Sequence, residues 1–256
     1  MFLEEITAHV REEIELRRRR TPPAALKDRP LYGHSRRGFL ESLKGGSRRI
    51  IAEVKRASPS QGVIREEFEP ANLAKDFAAH GAAALSVLTE ERFFQGSLLD
   101  LERVRNEVAL PLLRKDFIVD NYQLLEARGF GADAVLLIAA LLEPVLLREL
   151  LEEARSLSLD ALVEVHAESE VERALGAGAP FIGINNRDLR TFEVRLETTE
   201  RLVPLIPKGI MVASESGIHS AEQIRKFEEM GIHIFLIGEA LMRSPRPGEK
   251  LKELLA

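Results

Sequence analysis

The sequence predicts a single (β/α)8 barrel, the TIM-barrel class of α/β fold, with an N-terminal helical extension, and three observations predict it. One pattern repeats through the middle of the chain: a short apolar or β-branched run, a loop, then an amphipathic helix ending near Gly. Strand candidates such as VLLIAA and IFLIG are apolar on both faces, which suits parallel strands covered by helices. A chain of 256 residues with eight such units and no tight hairpin signals fits one closed barrel better than an open doubly wound sheet.

The elements follow in order. Residues 1–47 form an extension outside the repeat: a charged amphipathic helix ending in a run of four Arg at 17–20, then TPPAALKDRP, whose three prolines forbid continued helix. The extension is expected to fold over the barrel mouth. Strands are predicted at 49–55, 84–89, 110–115, 134–139, 160–166, 181–185, 210–214 and 234–238. Helices with apolar residues three and four apart are predicted between them at 70–80, 98–108, 122–129, 143–158, 168–175, 198–206 and 221–230, with a closing helix at 249–255. Residues 1–256 then make one domain.

Composition narrows the function. With no Cys, the chain has no thiolate nucleophile, disulfide framework or Cys-ligated zinc. A net charge of -5 argues against a general nucleic-acid binder, and the basic run at 17–20 reads as a solvated helix end. No apolar run reaches the ~20 residues of a membrane span, and the N-terminus is charged where a signal peptide is apolar. A cytoplasmic protein without membrane or nucleic-acid partners is expected, and a monomer, with a weak homo-oligomer as the alternative.

In such barrels chemistry sits at the C-terminal ends of the strands. The first strand ends in AEVKRASPS, so Glu53 and Lys55, two residues apart, point to the same side. The third ends at Lys115, the fifth carries Glu164, the sixth ends at Asn185 and the seventh leads to Glu215. Any one of these taken alone reads as a surface residue at a strand end. Five strands delivering ionisable or amide groups to one mouth read differently: two Lys and three Glu in an apolar barrel are costly to bury unless paired, and make sense as an acid and base set.

Ser216-Gly217 and Gly238-Glu239 follow the last two strands, and EALMRS suits a short helix, so backbone N–H groups there form a candidate phosphate site. Phe93, Phe94 and Phe117 lie in the loops after strands two and three and are candidates for an aromatic pocket. The six His show no metal-ligand spacing; His166 reads as a strand-end residue, and no metal is expected. Ser58, Ser214 and Ser216 lack the neighbouring base of a nucleophilic triad.

The strings IIAEVKRASPSQG, ALSVLTEERFFQGS, LLRKDFIVDNYQ, VEVH, IGINNRDLRTF, SESGI and LIGEALM resemble, in order and spacing, the motifs of the indole-3-glycerol-phosphate synthase family of tryptophan biosynthesis. The resemblance implies a carboxy-lyase acting on 1-(2-carboxyphenylamino)-1-deoxyribulose 5-phosphate by ring closure, decarboxylation and dehydration, without metal or organic cofactor. It implies Lys115 as general acid at the ketone oxygen, Glu164 as base for a later proton removal, and Lys55, oriented by Glu53, at the substrate carboxylate or as acid when the hydroxyl leaves. Asn185 and Glu215 match residues that hydrogen-bond the reacting region. Ser58, Ser216, Gly217, Gly238 and Glu239 match the phosphate loops. Phe94, Phe117, Leu136 and Leu189 match the aromatic wall, Arg187 a residue near the anthranilate ring, and Leu236 joins the substrate-binding set. Two features depart from some relatives: Glu239 stands where they have Ser, so its side chain is expected to turn away from phosphate, and the extension lacks a Trp.

Two other readings remain open on the residues alone: an aldolase-like barrel using Lys115 or Lys55 as a Schiff base, and an inactive barrel that only binds a metabolite. The phosphoribosylanthranilate isomerase barrel is disfavoured, since that kind of enzyme typically uses a Cys base.

Overall fold

The computed structural model describes residues 2–45 and 47–256. Eight parallel strands close into a barrel: β1 (Arg49–Val54), β2 (Ala84–Leu88), β3 (Leu112–Lys115), β4 (Ala134–Ile138), β5 (Asp160–Val165), β6 (Phe181–Asn185), β7 (Met211–Glu215) and β8 (Ile234–Ile237). Each pairs with its chain neighbours, and β8 closes on β1 with Ile51 beside Leu236. The predicted fold and all eight strands are present.

The helices are α1 (Phe2–Arg20), α2 (Pro23–Lys27), α3 (Phe39–Ser42), α4 (Pro70–Ala79), α5 (Leu98–Glu107), α6 (Asn121–Gly129), α7 (Pro144–Ser156), α8 (Glu168–Gly176), α9 (Glu197–Leu202), α10 (Ala221–Glu228), α11 (Glu239–Met242) and α12 (Pro247–Leu255). Their starts are set locally. Ser97 and Asp120 accept backbone N–H groups at the heads of α5 and α6, Ser220 and Gln223 form a reciprocal cap on α10, and α4, α7 and α12 begin on Pro.

One local expectation holds with an addition and one is corrected. The prolines after α1 do end it, but Pro23 also opens α2, because a helix's first turn needs no N–H from it. A hairpin does exist: Ala57–Ser58 pairs antiparallel with Gly62–Val63 in the loop after β1, turned through Pro59 and a left-handed Gly62.

The extension runs from one end of the barrel to the other. Ile6, Val10 and Ile14 recur every fourth residue on the buried face of α1. Beside them, His9 meets Phe93 of the loop after β2 edge-on at 6.0 Å, Arg18 pairs with Asp120 of the loop after β3 at 2.6 Å and Arg17 with Glu126 of α6 at 2.8 Å, so α1 lies on the mouth side. Farther along, the Arg37 guanidinium donates to the Val108 and Leu110 carbonyls, and the Leu40 N–H donates to Asp160. With buried Phe39 these contacts seal the opposite end, where β3, β4 and β5 begin.

Candidate active site

Side chains alternate along a strand, so Glu53, Lys115, Glu164, Asn185 and Glu215 share the barrel's inward side, while Arg114 and Ser214 face the helices. The residues two positions earlier, including Ile51, Leu113 and Leu162, form an apolar floor beneath the inward charges. Gly183 belongs to that floor: a Cβ there would strike the Glu215 carboxylate, so the glycine makes room for a buried acid.

The Lys115 ammonium donates to Glu164 Oε2 at 2.8 Å and to Glu215 Oε2 at 2.6 Å, joining β3, β5 and β7. Lys55 Nζ donates to Glu53 Oε1 at 2.6 Å. Burial would discharge Lys115, but the charges of Glu164, Glu215 and Glu53 prevail and hold it well above the ordinary lysine range. Burial also pushes both carboxyls up. At Glu164 that effect is outweighed by Lys115, then by His166, and its acid stays below the usual range. At Glu215 burial wins, and its carboxyl is pushed up to about 7. Two acids sharing one cation are thus driven apart, one ionised and one holding its proton near neutrality.

A cleft with about 1040 Å³ of empty space, including its open mouth, lies over this cluster. Of the residues singled out in the sequence for catalysis or binding, all but Phe93 line it. The charged floor is Glu53, Lys55, Lys115, Glu164, Asn185 and Glu215; Phe94, Phe117, Leu136, Leu189 and Leu236 supply apolar wall; Ser58, Ser216, Gly217, Gly238 and Glu239 form one rim with Arg187. The rings of Phe94 and Phe117 are 6.0 Å apart. Phe93 does not line this cleft; it packs on His9 of α1 instead.

Ser216 and Gly217 both have positive φ, 64° and 79°, which folds the turn after β7 back on itself. The turn is held from behind by Asn186, whose amide donates to the carbonyls of Glu215 and Ser216 at 3.0 and 3.1 Å while Thr199 donates to its oxygen. Gly238 also serves the charged floor of the cleft. Its φ is -123°, and a Cβ there would strike the Glu53 carboxylate, so it makes space for the Glu53–Lys55 pair. The Glu239 side chain turns to Arg187 at 2.9 Å and Arg243 at 3.2 Å, and Arg243 in turn donates to Gln61 of the hairpin.

Sequence reasoning missed the groups behind the cleft. Arg114, fully buried, bonds Asp116 at 2.8 Å, Glu126 at 3.2 Å and the Gln123 carbonyl at 2.6 Å, while Thr89 and Asp116 are hydrogen-bonded. This network brackets Lys115 and reaches α1 through Arg17. Charged residues on either side of Lys115 in LRKDF were the available signal.

The family model described as indole-3-glycerol phosphate synthase matches residues 3–254. Proteins named indole-3-glycerol phosphate synthase from Burkholderia multivorans and Acidithiobacillus ferrooxidans are 49% and 48% identical, each over 99% of this chain and 98% of the relative. Among solved structures, a KGPDC from Streptococcus mutans (TM-score 0.63, 13% identity, 81% of this chain and 95% of that one) and a tryptophan synthase alpha-subunit from Pyrococcus furiosus (0.62, 16%, 83% and 98%) share the fold. The chain belongs to the indole-3-glycerol phosphate synthase family.

Proposed function

We propose that Lys115 and Glu164 are the acid and base with which this chain carries out the family reaction. That reaction is the ring closure, decarboxylation and dehydration of 1-(2-carboxyphenylamino)-1-deoxyribulose 5-phosphate to indole-3-glycerol phosphate, a carboxy-lyase step of tryptophan biosynthesis. The observation that carries the assignment is the single ammonium shared by two buried carboxylates of unequal basicity.

Ring closure develops negative charge on the ketone oxygen as the aromatic carbon attacks, and Lys115, kept protonated by its acids, donates there. Loss of carbon dioxide leaves an electron-rich ring, and dehydration then needs a proton removed and a hydroxyl protonated. Glu164, held ionised, takes the proton; Lys55, steered by Glu53, assists the leaving hydroxyl or binds the substrate carboxylate. Asn185 and Glu215 hydrogen-bond the reacting region. The phosphate lies at the rim, against the turn of Ser216 and Gly217, the backbone of Gly238 and Glu239, and Ser58. Phe94, Phe117, Leu136, Leu189 and Leu236 enclose the aromatic ring, and Arg187 stands beside it.

A steady-state assay following indole fluorescence, with borohydride added in a parallel sample, tests this. Product formation without a borohydride-trapped mass adduct supports acid and base work by the lysines; a covalent adduct at Lys115 or Lys55 would instead support the Schiff-base reading.

A further inference from the structure

One buried titratable group close to the cluster has no part in this scheme. His166 follows β5 two residues after Glu164, its side chain is 13% exposed, and it does not line the cleft. Its ring stands between two carboxylates. Nε2 lies 3.5 Å from Glu164 Oε1, and Nδ1 lies 3.3 Å from Glu170 Oε2 at the start of α8. The same Glu170 oxygen accepts the His166 backbone N–H at 2.7 Å, so the ring is anchored from α8.

A neutral imidazole carries one N–H and one lone pair, and here either tautomer would turn its lone pair on a carboxylate. Only the imidazolium presents N–H to both. Nε2 is buried without a hydrogen-bond partner, aimed at Glu164, whose other oxygen is taken by Lys115. The remaining charges around the ring are Glu215 on β7, Lys115 on β3 beyond Glu164, and Arg201 of α9, which reaches the His166 carbonyl at 3.4 Å and pairs with Glu168. Burial would lower the basicity of His166, but the hydrogen bond it donates to Glu170 and the charge of Glu164 raise it above its ordinary value.

We propose that His166, anchored by Glu170, is a positioning residue for the base: its imidazolium holds one oxygen of Glu164 while Lys115 holds the other. The carboxylate is then fixed from both sides. This rests on the reading of Glu164 as base.

The test compares His166→Gln, Glu170→Gln and Glu164→Gln with wild type by kcat, KM and the pH profile of kcat. In the wild type, kcat declines as pH rises through the raised pKa of His166, because the imidazolium is lost. His166→Gln should lower kcat at least about fivefold, short of the ~100-fold or more expected for losing the base itself, with KM within about twofold. It should also lack the alkaline decline. Glu170→Gln keeps an acceptor for the His166 N–H and removes one flanking charge, so the decline should move to lower pH; it decides the matter if His166→Gln does not fold. Wild-type kcat and pH profiles in both variants, with Glu164→Gln impaired, would overturn the role of His166 alone. Wild-type turnover in Glu164→Gln would overturn the reading of the base and this proposal with it.

Discussion

Lys115 on β3 and Glu164 on β5 are hydrogen-bonded at 2.8 Å across the floor of the cleft, although 49 residues separate them in the chain. Neither charge is tolerable there alone. An apolar layer lies below, both side chains are largely buried, and breaking such a pair by deleting one partner leaves an uncompensated buried charge.

Replacing Lys115 by Ala should lower kcat by roughly 100- to 10,000-fold with a smaller change in KM, since a general acid acts mainly in the transition state. Steady-state kinetics at fixed pH check it, and near-normal turnover would remove Lys115 from the mechanism.

Gly238→Ala should impair chemistry as well as binding. The added Cβ meets the Glu53 carboxylate, which steers Lys55. A fall in kcat is therefore expected together with a rise in KM; a change in KM alone would place the glycine's role at the phosphate.

Glu239→Ser should raise KM for the substrate roughly two- to fivefold, the scale of a partly exposed ion pair, because Arg187 loses the partner that holds it at the cleft. Inorganic phosphate, which has no aromatic ring for Arg187 to meet, should bind as tightly as to wild type by calorimetry at fixed ionic strength. Weakened phosphate binding would show that Glu239 shapes the phosphate loop itself.

Glu215 carries a pH signature. Its carboxyl is pushed up by burial to about 7 in the folded chain, against about 4.3 when unfolded. A raised group stabilises fully below the unfolded value and loses that stabilisation as pH rises through the folded one. The wild type should therefore lose more stability than Glu215→Gln between pH 5 and pH 8. Thermal melts of both at the two pH values test this, and equal losses would mean that Glu215 is already ionised at neutral pH.

Most of the cleft was legible because strand alternation and strand ends fix which side chains reach the mouth. Glu53, Lys55, Lys115, Glu164, Asn185 and Glu215 needed only the period of two and the position of each strand's end. What was not legible depends on contacts between distant parts of the chain. Arg114 could not be known to meet Glu126, nor Arg17 to join them from α1, without the packing of α6. That Gly238 also makes room for Glu53 could not be read, because its neighbours in sequence do not reveal Glu53 on β1. His166 is the strand-end residue expected, but its anchor could not be read, because Glu170 lies beyond a loop on the next helix.

The division of labour between Lys115 and Glu164 is tested most directly by a single-turnover experiment with Glu164→Gln, following carbon dioxide release and indole fluorescence together on 1-(2-carboxyphenylamino)-1-deoxyribulose 5-phosphate. With Lys115 intact and the base removed, ring closure and decarboxylation should proceed, so carbon dioxide appears while indole fluorescence lags far behind and a pre-dehydration intermediate accumulates. Unreacted substrate, with neither signal, would contradict the account and move Glu164 to an earlier step.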